Sequence, residues 1–273
     1  MGLASDLSDS AMPFATSADG TGIHYDVQGT GPFPLIFLHG WGGNARTWDA
    51  VLSHLDPARF RAITLDIRGH GQSERPPTGF TWMNFDQDVF AVADQEQVTQ
   101  FVSVGFSMGG KLACHLAARH PQRIPAQVLV APVGPGLVPI EREAGLKICR
   151  AADDEQKNRD IFGAWFGPRA TDAMIAACCA TIASTPVFVL EATAEMTLWT
   201  SIEPIVDRTE LPTLLVLGQS DPVYGQLYQR ENMLPFLNNV QTVSLPSGHF
   251  IPLEAPARLA ELTNECVPKL FGR

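Results

Sequence analysis

The chain has 273 residues, 45% of them hydrophobic and 18% charged, with a formal net charge of −10 at pH 7. That length and composition give a globule with a sizeable core, either one large α/β domain or two small ones. The acidic balance argues against nucleic acid or an anionic membrane as the main partner, and no run of about 18 apolar residues is available to cross a bilayer.

Targeting signals are equally sparse. The first twenty residues include Ser5, Asp6, Ser8, Asp9 and Ser10 and lack both a basic start and an apolar stretch, so no secretory signal is expected. Met1-Gly2 opens a myristoylation pattern that fails at Asp6, where a serine or threonine is needed. Five cysteines (Cys114, Cys149, Cys178, Cys179 and Cys266) are odd in number and contain no Cys-x-x-Cys pair. Reduced, partly buried thiols in a cytoplasmic protein are therefore expected rather than a disulfide framework. No His, Cys and carboxylate cluster has metal-ligand spacing, so neither a metal nor another cofactor is expected.

In chain order, residues 1–18 read as a loose leader. Residues 22–27 alternate like an edge strand, and 28–34 are a turn rich in Gly and Pro. The apolar run 35–38 has the signature of a strand buried on both faces, and it ends in His39-Gly40-Trp41-Gly42-Gly43-Asn44. A helix is expected over 46–55, a strand over 60–65, a Gly-rich turn from Asp66 to Ser73, and a long helix over 80–100. The strand 101–104 then meets Gly105-Phe106-Ser107-Met108-Gly109-Gly110, followed by a helix over 111–120 and a strand over 127–130. Strands alternating with helices predict a mostly parallel sheet covered on both faces, with ligands at the carboxyl ends of its strands.

The pattern changes after Pro132, Pro135 and Pro139. Helical segments at 141–152, 156–166, 171–183 and 186–201 follow without a convincing strand, until alternation resumes at 213–217 and 240–245 and a last helix begins at 255. The expected organisation is thus a leader (1–18), a core in two parts (19–133 and 210–273), and a helical cap (134–209) inserted between them.

The stretch 101–110 organises the chemistry. A strand that reverses into a helix over so few residues forces its central residue into a strained backbone. Small flanking residues relieve the crowding, and the serine oxygen is left at the strand's carboxyl end. The first amides of the helix point toward whatever that oxygen attacks. Acyl transfer also needs a base and a group to orient it. His249, in a Gly-His loop after a late strand, is the expected base; His39, His70, His115 and His120 read as structural. Asp221, in the turn Gly218-Gln219-Ser220-Asp221, is the expected orienting acid, in competition with Asp207 and Asp66. The chain order Ser107, Asp221, His249 is that of the serine-elbow fold.

These motifs, in this order and spacing, resemble the α/β-hydrolase superfamily over essentially the whole length after the leader. The residues carrying the resemblance are His39-Gly40-Trp41-Gly42, Asp66-Ile67-Arg68-Gly69-His70-Gly71-Gln72-Ser73, Gly105 to Gly110, Gly218 to Asp221, and Gly248-His249. The resemblance implies an α/β-hydrolase fold: a mostly parallel, eight-stranded sheet flanked by helices, with a cap after the sixth strand. It also implies an oxyanion hole from the backbone N–H groups of Met108 and Trp41, with Gly42 as second choice. The substrate is expected to be a small-molecule ester or lactone, held by a monomer or homodimer. Phe106 and Phe250 are expected at the pocket, with Phe162, Trp165, Phe166 and Trp199 reaching it from the cap or packing between the cap helices. Two other readings share these residues: a carbon–carbon bond hydrolase, whose relatives usually carry a polar residue where Phe106 stands, and a small-molecule receptor with slow turnover. Cofactor-free haloperoxidases share Gly-Phe-Ser-x-Gly-Gly, and peroxide chemistry would be a side activity of esterase machinery.

Overall fold

A computed structural model describes residues 13–206 and 210–270. Eight segments rich in apolar and β-branched residues pair into one sheet: β1 (Phe14–Thr16), β2 (Gly22–Gln28), β3 (Phe33–Leu38), β4 (Phe60–Leu65), β5 (Val102–Phe106), β6 (Gln127–Val130), β7 (Thr213–Gly218) and β8 (Val240–Leu245). Their order is β1-β2-β4-β3-β5-β6-β7-β8. β2 runs antiparallel to both β1 and β4, and every other pairing is parallel. The central strands β5, β6 and β7 are buried at every residue. That explains why they are mostly apolar without a polar face: no side faces water on which to alternate.

Helices cover both faces. The described residues hold α1 (Asp49–Leu52), α2 (Trp82–Gln95), α3 (Met108–Arg119), α4 (Arg142–Ala151), α5 (Glu155–Gly163), α6 (Asp172–Ala183), α7 (Val187–Trp199), α8 (Gln226–Asn232), α9 (Ile251–Glu254) and α10 (Pro256–Leu270). Residues of α2 and α3, among them Phe85, Val89, Met108 and Leu112, build one core against the sheet. Residues of α1, α9 and α10, among them Val51, Ile251, Leu259 and Val267, build the other. No single helix among the described residues is long and apolar enough to cross a membrane.

Several sequence expectations need correction. Residues 14–16, inside the stretch read as a loose leader, form β1. Ala15 is fully buried, and Phe14 pairs with His24. A three-residue strand is too short to reveal its alternation in sequence; residues 1–12 lie outside the described ones. The helix expected over 46–55 is one 3-10 turn (Ala45–Trp48) followed by a single α turn. The helix expected to reach residue 100 ends at Gln95, because the chain turns at Gln97 with φ 55° and Val98 N–H closes onto Ala93 O at 2.7 Å. The short α8 had no sequence signal, being polar and under two full turns.

Between β6 and β7 stand α4, α5, α6 and α7. Three of them start at a side chain that accepts an orphan amide: Glu141 from Ala144, Asp154 from Lys157 and Thr171 from Met174. They share a small core of Cys149, Phe162, Cys179, Ile182, Leu190 and Ala194. Trp41 joins it from below, donating its indole N–H to Leu190 O at 2.9 Å and facing Phe162 at 5.9 Å. A second tie is Lys111 of α3, fully buried. Its ammonium donates to Gly136 O (2.8 Å), Thr197 O (2.8 Å) and Thr200 O (2.9 Å), and so binds the two ends of the helical insertion to the core helix. Burial lowers this ammonium to about 8, with Cys114 and Glu203 pulling the other way.

Candidate active site

β5 delivers Ser107 at the crest of a sharp turn. Its φ is 54° and ψ −115°, a left-handed conformation that an L residue holds only when its surroundings enforce it. The enforcement is steric. At Gly109 a Cβ would lie 2.2 Å from Leu38 O, so only glycine lets α3 begin against the end of β3. Ser107 N–H donates to Val130 O at 3.0 Å, and Ser107 O accepts from Gly110, Lys111 and Val133. The serine backbone is thereby locked between β6 and the first turn of α3.

Two further loops converge there. After β7 and β8 the chain continues its pairing, with Gln219 N–H on Leu245 O (2.8 Å) and Ser220 N–H on Ser247 O (3.0 Å). This extension sets Asp221 beside His249. His249 Nδ1–H donates to Asp221 Oδ2 at 2.9 Å, and His249 Nε2 accepts from the Ser107 hydroxyl at 3.1 Å. The other carboxylate oxygen, Asp221 Oδ1, accepts the amides of Val223 (2.8 Å) and Tyr224 (3.0 Å). Burial pushes the Asp221 carboxyl upward, but the His249 imidazole and these two amides outweigh it and hold it below the usual carboxylate value. An imidazole fixed in this tautomer, between a carboxylate and a hydroxyl, can draw a proton from that hydroxyl.

The histidine loop is fastened from the insertion side as well. His249 N–H donates to Trp165 O at 2.8 Å, and the Glu254 carboxylate accepts from both Gly248 and Gly167. A Cβ at Gly248 would sit 2.3 Å from Gly167 N, so the two segments touch backbone to backbone. Burial raises the Glu254 carboxyl, while the amides of Gly248 and Gly167 oppose the shift.

The loop after β3 closes the fourth side. His39 is fully buried, with Nδ1–H donating to Gly40 O (2.8 Å) and Nε2 accepting from Ile67 N–H (3.0 Å). It supports the turn that carries Trp41. Trp41, Ser107 and Met108 border one cavity of about 420 Å³. Among the described residues no backbone acceptor bonds the N–H of Trp41 or Met108, which leaves both able to meet an anionic oxygen.

The remaining expected residues divide. Trp165 lines the cavity; Phe106 and Phe250 instead line a neighbouring one of about 240 Å³, and Trp41 borders both. Phe162 is fully buried in the insertion's own core. Phe166 stacks on Phe250 at 4.4 Å. Trp199 donates to Ile140 O at 3.0 Å and lies under the Arg142 guanidinium. These three pack against their neighbours and do not line the cavity. Asp66 is occupied elsewhere, accepting from Ala45, Gln72 and His24; Asp207 lies outside the described residues. Most of the wall comes instead from residues with no local signal: Val133, Val138, Ile140, Ile148, Leu198 and, from the other side, Tyr224 and Tyr228. Among the described residues no group of three or more His, Cys, Asp or Glu is arranged to hold a metal ion.

Comparison with known proteins agrees with this architecture. A family model described as the alpha/beta hydrolase fold matches residues 34–147. A non-heme haloperoxidase of Rhodococcus erythropolis is 37% identical over 131 residues, 48% of this chain and 47% of that protein. The chain spans less than half the length of the first curated relatives it matches. Among solved structures, an esterase from Exiguobacterium antarcticum superposes with a TM-score of 0.85 at 20% identity, covering 95% of this chain and 99% of that one. At that identity the likeness is one of fold. Est816, described as an N-acyl homoserine lactone degrading enzyme, superposes with a TM-score of 0.78 at 29% identity, covering 92% and 98%. The chain has the α/β-hydrolase fold, and residues 34–147 match that family's model.

Proposed function

We propose that the protein is a serine hydrolase cleaving a carboxylic ester or lactone of a small to medium, largely apolar substrate. The observation that carries this reading is the hydrogen-bonded chain Ser107–His249–Asp221 at the wall of a 420 Å³ cavity whose lining is mostly apolar. Ser107 Oγ attacks the acyl carbon as its proton passes to His249 Nε2. Asp221 orients the imidazole and stabilises the imidazolium, and the amides of Met108 and Trp41 receive the oxyanion. Collapse of the tetrahedral intermediate expels the alcohol, which takes the proton from His249. Water, deprotonated by the same histidine, then releases the acid and restores the serine. The lactone arm draws support from Est816, similar over nearly the whole of its length and named for lactone degradation.

The test is steady-state hydrolysis of p-nitrophenyl esters from acetate to decanoate, with Ser107→Ala alongside. The expected result is turnover with a chain-length optimum and a loss of about 10⁶ in kcat in the variant. Absence of turnover from folded wild-type protein would redirect the reading to a carbon–carbon bond hydrolase or a receptor with slow turnover.

A further inference from the structure

Among the described residues, no Asp, Glu, Lys, Arg or His lines the cavity beside Ser107. Ser107 apart, its hydroxyl groups are those of Thr197, Tyr224 and Tyr228. The Thr197 hydroxyl is sealed from solvent without a partner, so, of these three hydroxyls, the two phenols are the ones a ligand can reach. Their rings stand 4.8 Å apart, and the Tyr224 ring meets the His249 ring edge-on at 5.5 Å. That contact places the pair next to the reacting centre.

The two hydroxyls are differently engaged. Tyr228 Oη accepts the Gly134 N–H at 3.1 Å, which leaves its own proton to donate. Tyr224 is 8% exposed, and none of the hydrogen bonds made by the described residues uses its hydroxyl; its amide serves Asp221 instead. Burial raises both phenols above their ordinary value, so they stay protonated donors. A substrate oxygen in the cavity can accept a hydrogen bond from either phenol.

We infer that Tyr224 and Tyr228 form a two-donor subsite that selects a neutral substrate bearing a second oxygen acceptor, a carbonyl, ether or hydroxyl oxygen, beside the scissile ester. Among the described residues the wall offers no cation to meet a carboxylate, so the acceptor is uncharged. The inference rests on the ester-hydrolase reading and names the substrate class of that same site.

The test uses pairs of esters of equal size that differ by one oxygen in place of a methylene. The oxygen lies in the acyl chain in one pair and in the alcohol in the other. The wild-type protein is expected to favour the oxygen-bearing member of at least one pair in kcat/KM. Tyr224→Phe is expected to lower that preference about tenfold, and Tyr224→Phe with Tyr228→Phe at least as much. Because no described residue bonds the Tyr224 hydroxyl, the single variant keeps every protein hydrogen bond, whereas Tyr228→Phe also removes the acceptor for Gly134 N–H. A preference unchanged in Tyr224→Phe, with plain esters still turned over, overturns the subsite and leaves the hydrolase reading standing. If wild-type protein hydrolyses neither member of any pair nor a plain ester, the hydrolase reading fails and the subsite falls with it.

Discussion

The two sides of the cavity are built in different ways. On the core side, Ser107, Met108 and the Trp41 loop sit at the ends of adjacent strands, and short-range sterics dictate their geometry. Gly109 exists because Leu38 O leaves no room for a Cβ, and His39 spends both ring nitrogens on two backbone groups of neighbouring turns. On the insertion side, Val138, Ile140, Ile148 and Leu198 arrive from segments that have no common motif. Their positions depend on how α4 and α7 pack and on the three carbonyls gathered by Lys111. The serine turn is thus held by local rules, while the cavity wall that comes from the insertion is held by long-range packing.

That contrast can be tested most forcefully on the core side. Asp221→Asn keeps the size of the side chain but favours the wrong imidazole tautomer. We expect kcat toward a p-nitrophenyl ester to fall about 10⁴-fold with little change in thermal stability. A loss below about tenfold would remove Asp221 from the orienting role.

On the insertion side the expected change is in stability. Phe162→Ala empties a fully buried ring from the small core around Cys149, Ile182 and Leu190, and about 3–5 kcal/mol of unfolding free energy should be lost in urea titrations. Because Phe162 does not line the cavity, the chain-length optimum of the ester series should stay where it is. A displaced optimum at unchanged stability would make this ring a substrate contact.

The smallest effect concerns pH and the loop that carries Trp41. Burial drives His39 down to about 4 from 6.5, with the Gly40 carbonyl opposing. The unfolded chain therefore binds a proton at His39 between about pH 6.5 and 4 that the folded chain does not, so stability falls as pH drops through that window. The shift corresponds to about 3 kcal/mol. His70, lowered by burial and then by His39 to about 3, adds to the same slope. Urea midpoints at pH 7 and pH 4.5 measure it, and His39→Gln should flatten the difference. An equal slope in the variant would mean that other groups carry the acid sensitivity.

Much of this molecule was legible in sequence. Apolar and β-branched residues between turn signals mark the strands, so 60–65, 127–130 and 240–245 match β4, β6 and β8 to the residue, although β8 lies at the sheet edge and is only partly buried. Three of the four insertion helices start at a capping side chain, and all four are long enough to read as helices. Ser107, Asp221 and His249 each end a strand in a turn of small residues, and the structure brings the three side chains into one hydrogen-bonded chain. Elements of a few residues were lost: β1 and α8 are too short for a pattern, and Gln97 reverses the chain with no glycine or proline to mark it.

The wall of the cavity was lost for a different reason. The insertion's aromatic residues are expected either to reach it or to pack between the helices, and Phe162, Phe166 and Trp199 pack against Trp165, Phe250 and Ile140. Residue type reports that a side chain will be buried, not which neighbour will bury it. The sheet, the strained serine turn and the order of the reactive groups could be read from residue order, since each follows from steric rules acting over a few residues. That Tyr224 and Tyr228 line the cavity beside Ser107, and that Lys111 gathers Gly136, Thr197 and Thr200, emerged in the folded chain alone. Those meetings join residues far apart in the chain, and their positions are set by the packing of whole helices.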